Sequence, residues 1–293
     1  MSSPFVHGRV SVLTPAYNHE KYIIDNIRSV LSQDYQDVEH VIIDDGSSDS
    51  TFEVSRHCIS EQTSPVKHLL TKQVNRGMNA TLNELLRIST GEYVSVLASD
   101  DYLLPQSLSG RIRFLQENPN KLAVFGDFSC IDDAGETSTS KGLEERFGVN
   151  KADFSSDSRI RLGMLKNFSI AGPALLFHRS LIDQIGGFDE DLMIEDWDFY
   201  IRISARNLLG FLDQPVAAYR IHQTNTISNF GKSQRRCNYV RKVLEKNEQL
   251  YHGEEREFVH AWIRERKRKE IGFMIESRLK RVFSALGLRK KKV

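Results

Sequence analysis

The chain has 293 residues, 40% of them apolar and 27% charged, with a formal net charge of +1, an ordinary globular composition that excludes a fibrous or disordered chain and allows one large α/β domain with an appendage. Its three cysteines, Cys58, Cys130 and Cys237, form no CxxC, so neither a disulfide framework nor a zinc knuckle is expected, and a reducing compartment fits. No apolar run approaches the roughly 18 residues of a membrane span, and Met1–Arg9 has no apolar signal core, so a cytoplasmic protein is expected.

Val10–Thr14 is a β-rich run ending at Pro15 and reads as a buried first strand. Ile23, Ile24, Ile27, Val30 and Leu31 recur at helical spacing and predict a helix over Glu20–Gln33. A second strand, Val38–Ile43, stops at Asp44-Asp45-Gly46-Ser47, and a helix over Ser50–Ser60 follows. Val66–Leu70 reads as a third strand. Leu82, Leu85, Leu86 and Ile88 mark a helix ending before Gly91, and Glu92–Ala98 is a fourth strand stopped by Ser99-Asp100-Asp101. This alternation predicts a parallel sheet with helices on both faces, in which ligands bind at the carboxyl ends of the strands. Those ends carry Pro15–Asn18, Asp44–Ser47 and Ser99–Asp101, so carboxylates gather at one rim.

Beyond it, a helix is expected over Pro105–Asn118 and a strand over Leu122–Phe125. Asp127–Asp157 is rich in Ser, Asp, Gly and Glu and reads as a long polar connection. Ala174–Phe177 is strand-like, and Ser180–Ile185 and Ile194–Arg206 are helical. Phe211–Ile221 is a strand running into His222, and the chain after Gly231 is helical.

Adjacent carboxylates at a strand end repel each other unless a cation or hydrogen bonds compensate. Asp100-Asp101 therefore suits a hard divalent ion that bridges substrate phosphates, or simply an exposed turn. Asp44–Asp49 reads either as a turn with a helix cap or as a ligand-holding loop; Ile43 stands where a haloacid-dehalogenase-type motif needs aspartate. Glu195, Asp196 and Asp198 start a helix, where acids favour the dipole or supply a general base. There is no Walker A loop, no GxGxxG after the first strand and no GxSxG elbow, which argues against P-loop hydrolases, dinucleotide oxidoreductases and α/β-hydrolases.

Six segments in order, VSVLTPAYN (10–18), VIIDDGSSDST (41–51), NRGMNATLNELL (75–86), GEYVSVLASDD (91–101), GGFDEDLMIEDWDFYIRI (186–203) and YRIHQTNTIS (219–228), resemble the successive motifs of inverting family 2 glycosyltransferases with the GT-A fold. The resemblance implies a Rossmann-like, nucleotide-diphospho-sugar transferase architecture: a mixed, mainly parallel sheet flanked by helices, here with a C-terminal helical extension. It implies that Pro15 and Tyr17 line the base and ribose and that Asp45 hydrogen-bonds the base, normally uracil. Asn75, Arg76 and Gly77 would stand beside the nucleotide and diphosphate. Asp100 would lie near the ribose or the metal waters, and Asp101 would be the metal ligand of the DXD-type motif. Ala98 replaces the first Asp of the fuller form, leaving fewer carboxylates. Gly172 matches a flexible acceptor-side loop. Asp196 matches the catalytic base, with Glu195 beside it, and His222 matches a residue that contacts the metal or diphosphate.

The resemblance therefore implies a Mn²⁺- or Mg²⁺-dependent enzyme that moves a sugar from a UDP-linked donor to a glycan or lipid-linked saccharide acceptor in cell-surface polysaccharide or glycan synthesis. A sugar-nucleotide-binding or scaffold protein of the same fold is the alternative, favoured only by Ala98; a nucleotidylyltransferase would need a Gly-rich basic loop that Thr14–Glu20 lacks. The expected domains are 1–230, catalytic, with a nucleotide-binding half over 8–104 and an acceptor-binding half over 105–230, and 231–293, a helical extension. From Arg264 onward twelve Lys/Arg oppose three Glu, a net +9 that leaves −8 on the preceding residues. Ile271, Met274, Ile275, Leu279, Val282, Phe283 and Leu286 draw one stripe on this basic helix. Such a stripe either packs on the body of the protein or meets an anionic membrane surface, and the charge excess favours the membrane, with the enzyme peripheral on its inner face. Nucleic acid is not an expected partner.

Overall fold

The computed structural model describes residues 5–166, 170–192, 195–223 and 234–285; the side chains of 195, 234 and 276–285 are outside that set. The chain divides into two compact units, Met1–Asp191 with Glu195–His222, and Leu192–Ile194 with Gln223–Val293.

The first unit alternates strands and helices as its hydrophobic periods dictate. In order these are β1 (Val6–Ala16), α1 (Ile23–Leu31), β2 (Val38–Asp44), α2 (Thr51–Ser60), β3 (Lys67–Lys72), α3 (Met78–Ile88), β4 (Gly91–Val96), β5 (Tyr102–Leu103), α4 (Ser107–Glu117), β6 (Ala123–Ile131), β7 (Thr137–Thr139), α5 (Asp157–Lys166), β8 (Leu175–His178), α6 (Leu181–Ile185), α7 (Glu195–Ser204) and β9 (Leu209–Arg220). Among the described residues the strands form one mixed, mainly parallel sheet in the order β3-β2-β1-β4-β8-β6-β9-β5, with β7 on the side of β6. Its long pairings are parallel: β1 with β2 and β4, β2 with β3, and β6 with β9. The antiparallel ones are short, and β8 makes two of them by lying between β4 and β6.

Strands buried on both faces read as continuous apolar runs, and Val10, Val12, Leu13, Val41, Ile42 and Val94 are all fully buried or nearly so. Helix α1 closes one face with Ile23, Ile27 and Val30; burying each such side chain contributes about 1.5–3 kcal/mol. On the other face Leu82 and Leu85 of α3 join Phe125, Phe128, Phe177, Phe199 and Tyr200 in the largest core cluster.

The segment expected as a polar connection is ordered instead. Strand β6 continues to Ile131 with all nine residues buried, and β7, a π-type turn at Gly142–Arg146 and a 3₁₀ turn at Lys151–Phe154 follow. Phe128 packs so closely on Gly142 that a Cβ there would lie 2.3 Å from its ring. Buried Asp127 accepts from the Leu143 amide at 3.1 Å and pairs with Lys151 at 2.9 Å. The polar composition hid these pins because each acts through one side chain, without periodicity. Strand β5 was equally invisible: two residues pair with Ala217 and Ala218 of β9.

The second unit contains α8 (Gln234–Asn247) and α9 (Gly253–Ala285). Arg241 of α8 pairs with Glu270 of α9, and Glu245 with Lys267, each at 2.9 Å. Among the described residues no helix is long and apolar enough to cross a membrane. Ile194, the Thr224–Ser228 end of the last motif, the tail beyond Ala285 and the side chains of Glu195, Leu279, Val282 and Phe283 lie outside the described residues or side chains.

Candidate active site

The carboxyl ends of β1, β2 and β4 stand together, as parallel register requires. Asp45 is the hub of the β2 end. Its amide donates to the Ala16 carbonyl at 2.8 Å, and its carboxylate accepts from the Arg76 and Gly77 amides and from Gln73 Nε2, each at 2.8 Å. Asn75, Arg76 and Gly77 are exposed, so Asp45 holds their loop at the rim while its own carboxylate is almost fully buried. Gly77 has φ 87° and Gly46 has φ 78°, which side chains other than glycine rarely adopt; a Cβ on Gly46 would also lie 2.8 Å from the Asn75 nitrogen. Pro15 is buried in β1, whereas Tyr17 is 48% exposed at its end.

The acids after β4 take separate environments. Asp100 Oδ2 meets His222 Nε2 at 3.0 Å, and Oδ1 lies 3.9 Å from His19 Nδ1. Asp101 Oδ1 instead accepts the backbone N–H of Arg220 at 2.8 Å, and its side chain is 2% exposed. Burial alone would raise Asp100, but its bond to His222 and the nearby His19 hold it below the usual carboxylate range. Burial, and then the charge of Asp100, push Asp101 well above that range. Two adjacent carboxylates separate in this way when they share a buried site and one is the better stabilised by its neighbours.

Ligand atoms of His19, Asp100 and His222 lie within 4.8 Å of one another. Two imidazole nitrogens and a carboxylate oxygen are a donor set suited to Mn²⁺, less so to the oxygen-preferring Mg²⁺. The sequence expectation put the ion on Asp101 and His222; the geometry brings His222 to Asp100, with His19 as a third donor that no motif singled out. His19 sits in the turn after β1, tied down by the Thr51 Oγ1 bond to its amide at 2.8 Å and by Ser99 Oγ at 2.8 Å.

Arg220 is the second residue that spacing did not reveal. It is 1% exposed, bonds the Asp100 carbonyl through Nε at 2.9 Å, pairs with Asp25 at 2.9 Å, and lies 4.8 Å over the Tyr22 ring. Tyr22 in turn packs against His222 with ring centroids 5.0 Å apart and hydrogen-bonds Asp133.

Helix α7 carries Asp196 and Asp198 in its first turn. Asp198 is fully buried in an ion pair with Arg202 at 2.9 Å, and Arg202 also bonds the Ile185 and Gly187 carbonyls. Among the described residues Asp196 makes no ion pair; it accepts the Trp197 amide at 2.8 Å, and burial pushes its carboxyl up to about 6. Burial, then Asp101, Asp100 and Asp196, push the Tyr219 phenol up, so the acids of both motifs bear on one ring. The Gly172–Ala174 turn lies between α5 and β8, and the Pro173 carbonyl accepts from buried Arg111 at 3.3 Å.

A mixed, mainly parallel sheet flanked by helices, with acids at its strand ends, is the architecture of the GT-A class of transferases. The chain belongs to glycosyl transferase family 2, whose sequence profile matches residues 11–186. A Campylobacter jejuni protein, GalNAc(5)-diNAcBac-PP-undecaprenol beta-1,3-glucosyltransferase, is 32% identical over 73% of this chain and 71% of its own. An uncharacterized glycosyltransferase of Rickettsia bellii is 29% identical over 75% of this chain, which spans only 30% of that relative's length. The next two Rickettsia relatives are each covered to 37% of their length. Two solved structures share the fold: S. aureus TarS 1-349 in complex with UDP-GlcNAc, with TM-score 0.66 and 19% identity over 88% of this chain and 72% of that one, and the mannosyltransferase PcManGT from Pyrobaculum calidifontis in complex with GDP-Man and Mn²⁺, with TM-score 0.63 and 20% identity over 98% and 83%.

Proposed function

We propose that the protein is an inverting hexosyltransferase that moves a sugar from a UDP-linked donor to an acceptor hydroxyl in cell-surface polysaccharide or glycan synthesis. The observation that carries this reading is Asp196, whose carboxyl burial raises to about 6, together with the His/Asp/His cluster at the strand ends. An acceptor hydroxyl is a poor nucleophile and loses its proton as it attacks. Asp196, raised to about 6 by burial, is ionised at neutral pH yet basic enough to take that proton. Attack from the face opposite the leaving diphosphate is a single displacement and inverts the anomeric centre. Asp198, committed to Arg202, is not available for this role.

His19, Asp100 and His222 would hold Mn²⁺ or Mg²⁺, which when bound neutralises charge on the departing diphosphate. Tyr17 and Pro15 would flank the base, and the loop of Asn75, Arg76 and Gly77 that Asp45 holds would close on the nucleotide. The UDP-GlcNAc bound to TarS supports a UDP-linked donor, and the Mn²⁺ bound to PcManGT supports the cation. The C. jejuni relative, named for an undecaprenol-linked substrate, supports a lipid-linked saccharide acceptor. Residues 1–230 would form the catalytic domain and 231–293 an appended helical extension. Ile271, Met274 and Ile275, each more than half exposed on α9, are spaced to enter an anionic membrane surface, which fits an enzyme peripheral on the inner face. Purified protein assayed against a panel of nucleotide sugars with Mn²⁺, and again with EDTA, tests the reading. Transfer from a UDP-sugar that EDTA abolishes is expected; binding without transfer or hydrolysis of any donor would identify a scaffold protein instead.

A further inference from the structure

Three polar side chains on and just beyond α1 reach one stretch of backbone. Asn26 and Ser29, three apart, lie on one buried face of α1, and Gln33 just past its end continues the seam. Asn26 Nδ2 donates to the Ala98 carbonyl at 2.9 Å and to the Asp101 carbonyl at 3.1 Å. Ser29 Oγ accepts the Leu103 amide at 3.0 Å. Gln33 donates to the Leu104 carbonyl at 3.0 Å and accepts the Leu108 amide at 3.2 Å. The seam thus reads the chain in order from the end of β4 to the start of α4.

Asn26 differs from the other two in what it grips. Its amide spans the turn Ala98–Asp101, whose own closing bond runs from the Asp101 amide to the Ala98 carbonyl at 3.0 Å. Two carbonyl acceptors on one nitrogen settle which end of the amide faces the turn. The other end, Oδ1, lies 3.4 Å from Thr14 Oγ1, which is itself 2.9 Å from His40 Nε2. Asn26, Thr14 and His40 are all fully buried. If Thr14 gives its only proton to Asn26, His40 must donate to Thr14 through Nε2, which agrees with a neutral ring whose Nδ1 has no partner. Every donor in this string then points from the sheet toward the turn, an arrangement in which successive hydrogen bonds strengthen one another.

We propose that Asn26 is a positioning residue for the metal-ligating turn, clamping both ends of Ala98–Asp101 so that the Asp100 carboxylate faces His19 and His222. The inference rests on the reading of those three residues as a divalent-cation site. Outer residues that orient a ligand typically govern 10–100-fold in metal affinity. Ser29 and Gln33 hold chain beyond the turn and serve the fold alone.

The test uses the full chain and Mn²⁺ alone, titrated by electron paramagnetic resonance without donor. Asn26→Ala is compared with Gln33→Ala, and both are checked for folding by circular dichroism. Asn26→Ala is expected to weaken Mn²⁺ binding about tenfold, whereas Gln33→Ala stays within about twofold of wild type even though it lowers the unfolding temperature. If Asn26→Ala does not fold, Asn26→Ser, which retains one donor, takes its place with the same direction of change. Wild-type affinity in the Asn26 variant, or an equal loss in Gln33→Ala, overturns the proposal. Wild-type protein that binds no Mn²⁺ would instead overturn the metal reading. Donor turnover then decides the positioning role: kcat falling in the Asn26 variant at unchanged KM, but not in Gln33→Ala, upholds it, and equal kcat in the two variants refutes it.

Discussion

The backbone N–H of Arg220 donates to Asp101 Oδ1 at 2.8 Å across 119 positions of sequence. That bond fastens the end of β9 to the acid turn after β4. Two residues further on, His222 consequently stands 3.0 Å from Asp100. Asp101 therefore sets the register of the cluster, and Asp100 supplies its carboxylate.

The two acids are accordingly expected to differ in their response to substitution. Asp101→Asn keeps an oxygen that accepts from Arg220, so Mn²⁺ affinity should stay within about threefold of wild type. Asp100→Ala removes a ligand and should weaken Mn²⁺ binding by at least about tenfold, with a matching loss of UDP affinity only when metal is present. Calorimetry with and without Mn²⁺ measures both, and the reverse ranking would move the ion to Asp101.

Asp196→Asn preserves shape and the acceptor for the Trp197 amide but cannot take a proton. The expected outcome is a loss of about 10²–10⁴-fold in kcat, with nucleotide affinity unchanged. Steady-state kinetics and UDP titration check this; wild-type turnover would transfer the role to Glu195.

The pH dependence of kcat carries the same assignment. A carboxyl raised to about 6 by burial is protonated, and inactive as a base, below that pH. Activity should thus rise with pH and level off above about 7, with an acid limb near 6. The limb should vanish from the residual activity of Asp196→Asn; a limb that persists there belongs to another group.

Arg220 is a buried cation whose guanidinium pairs with Asp25, itself half exposed. Arg220→Met removes the guanidinium that the carbonyls of Asp100, Asp132 and Asp133 accept from. A destabilisation of about 3 kcal/mol is expected, measured by urea unfolding, together with weakened Mn²⁺ binding as the turn and His222 lose their shared anchor.

The exposed Ile271, Met274 and Ile275 lie among the Lys and Arg of α9. Deleting 264–293 should release the protein from anionic liposomes in sedimentation while sparing transfer to a soluble acceptor. Full-length protein that stays in the supernatant at low salt would show that this face meets something other than lipid.

Local pattern alone determined much of this molecule. Apolar runs of period 2 and stripes of period 3.6 are set by neighbours a few residues apart, so β1 through β4, their helices and the acids at their ends were legible, and six ordered motifs identified the family. Strand order was not, because pairing joins distant segments: nothing local says that β8 lies antiparallel between β4 and β6. The same limit hid the partition of Asp100 from Asp101, which depends on where β9 ends, whereas the pairing of Asp198 with Arg202 spans only four residues of one helix. His19 carries no motif and Arg220 stands in the last one without a role read for it; their chemistry arises when the ends of β1, β4 and β9 converge, and that convergence is a property of the folded sheet.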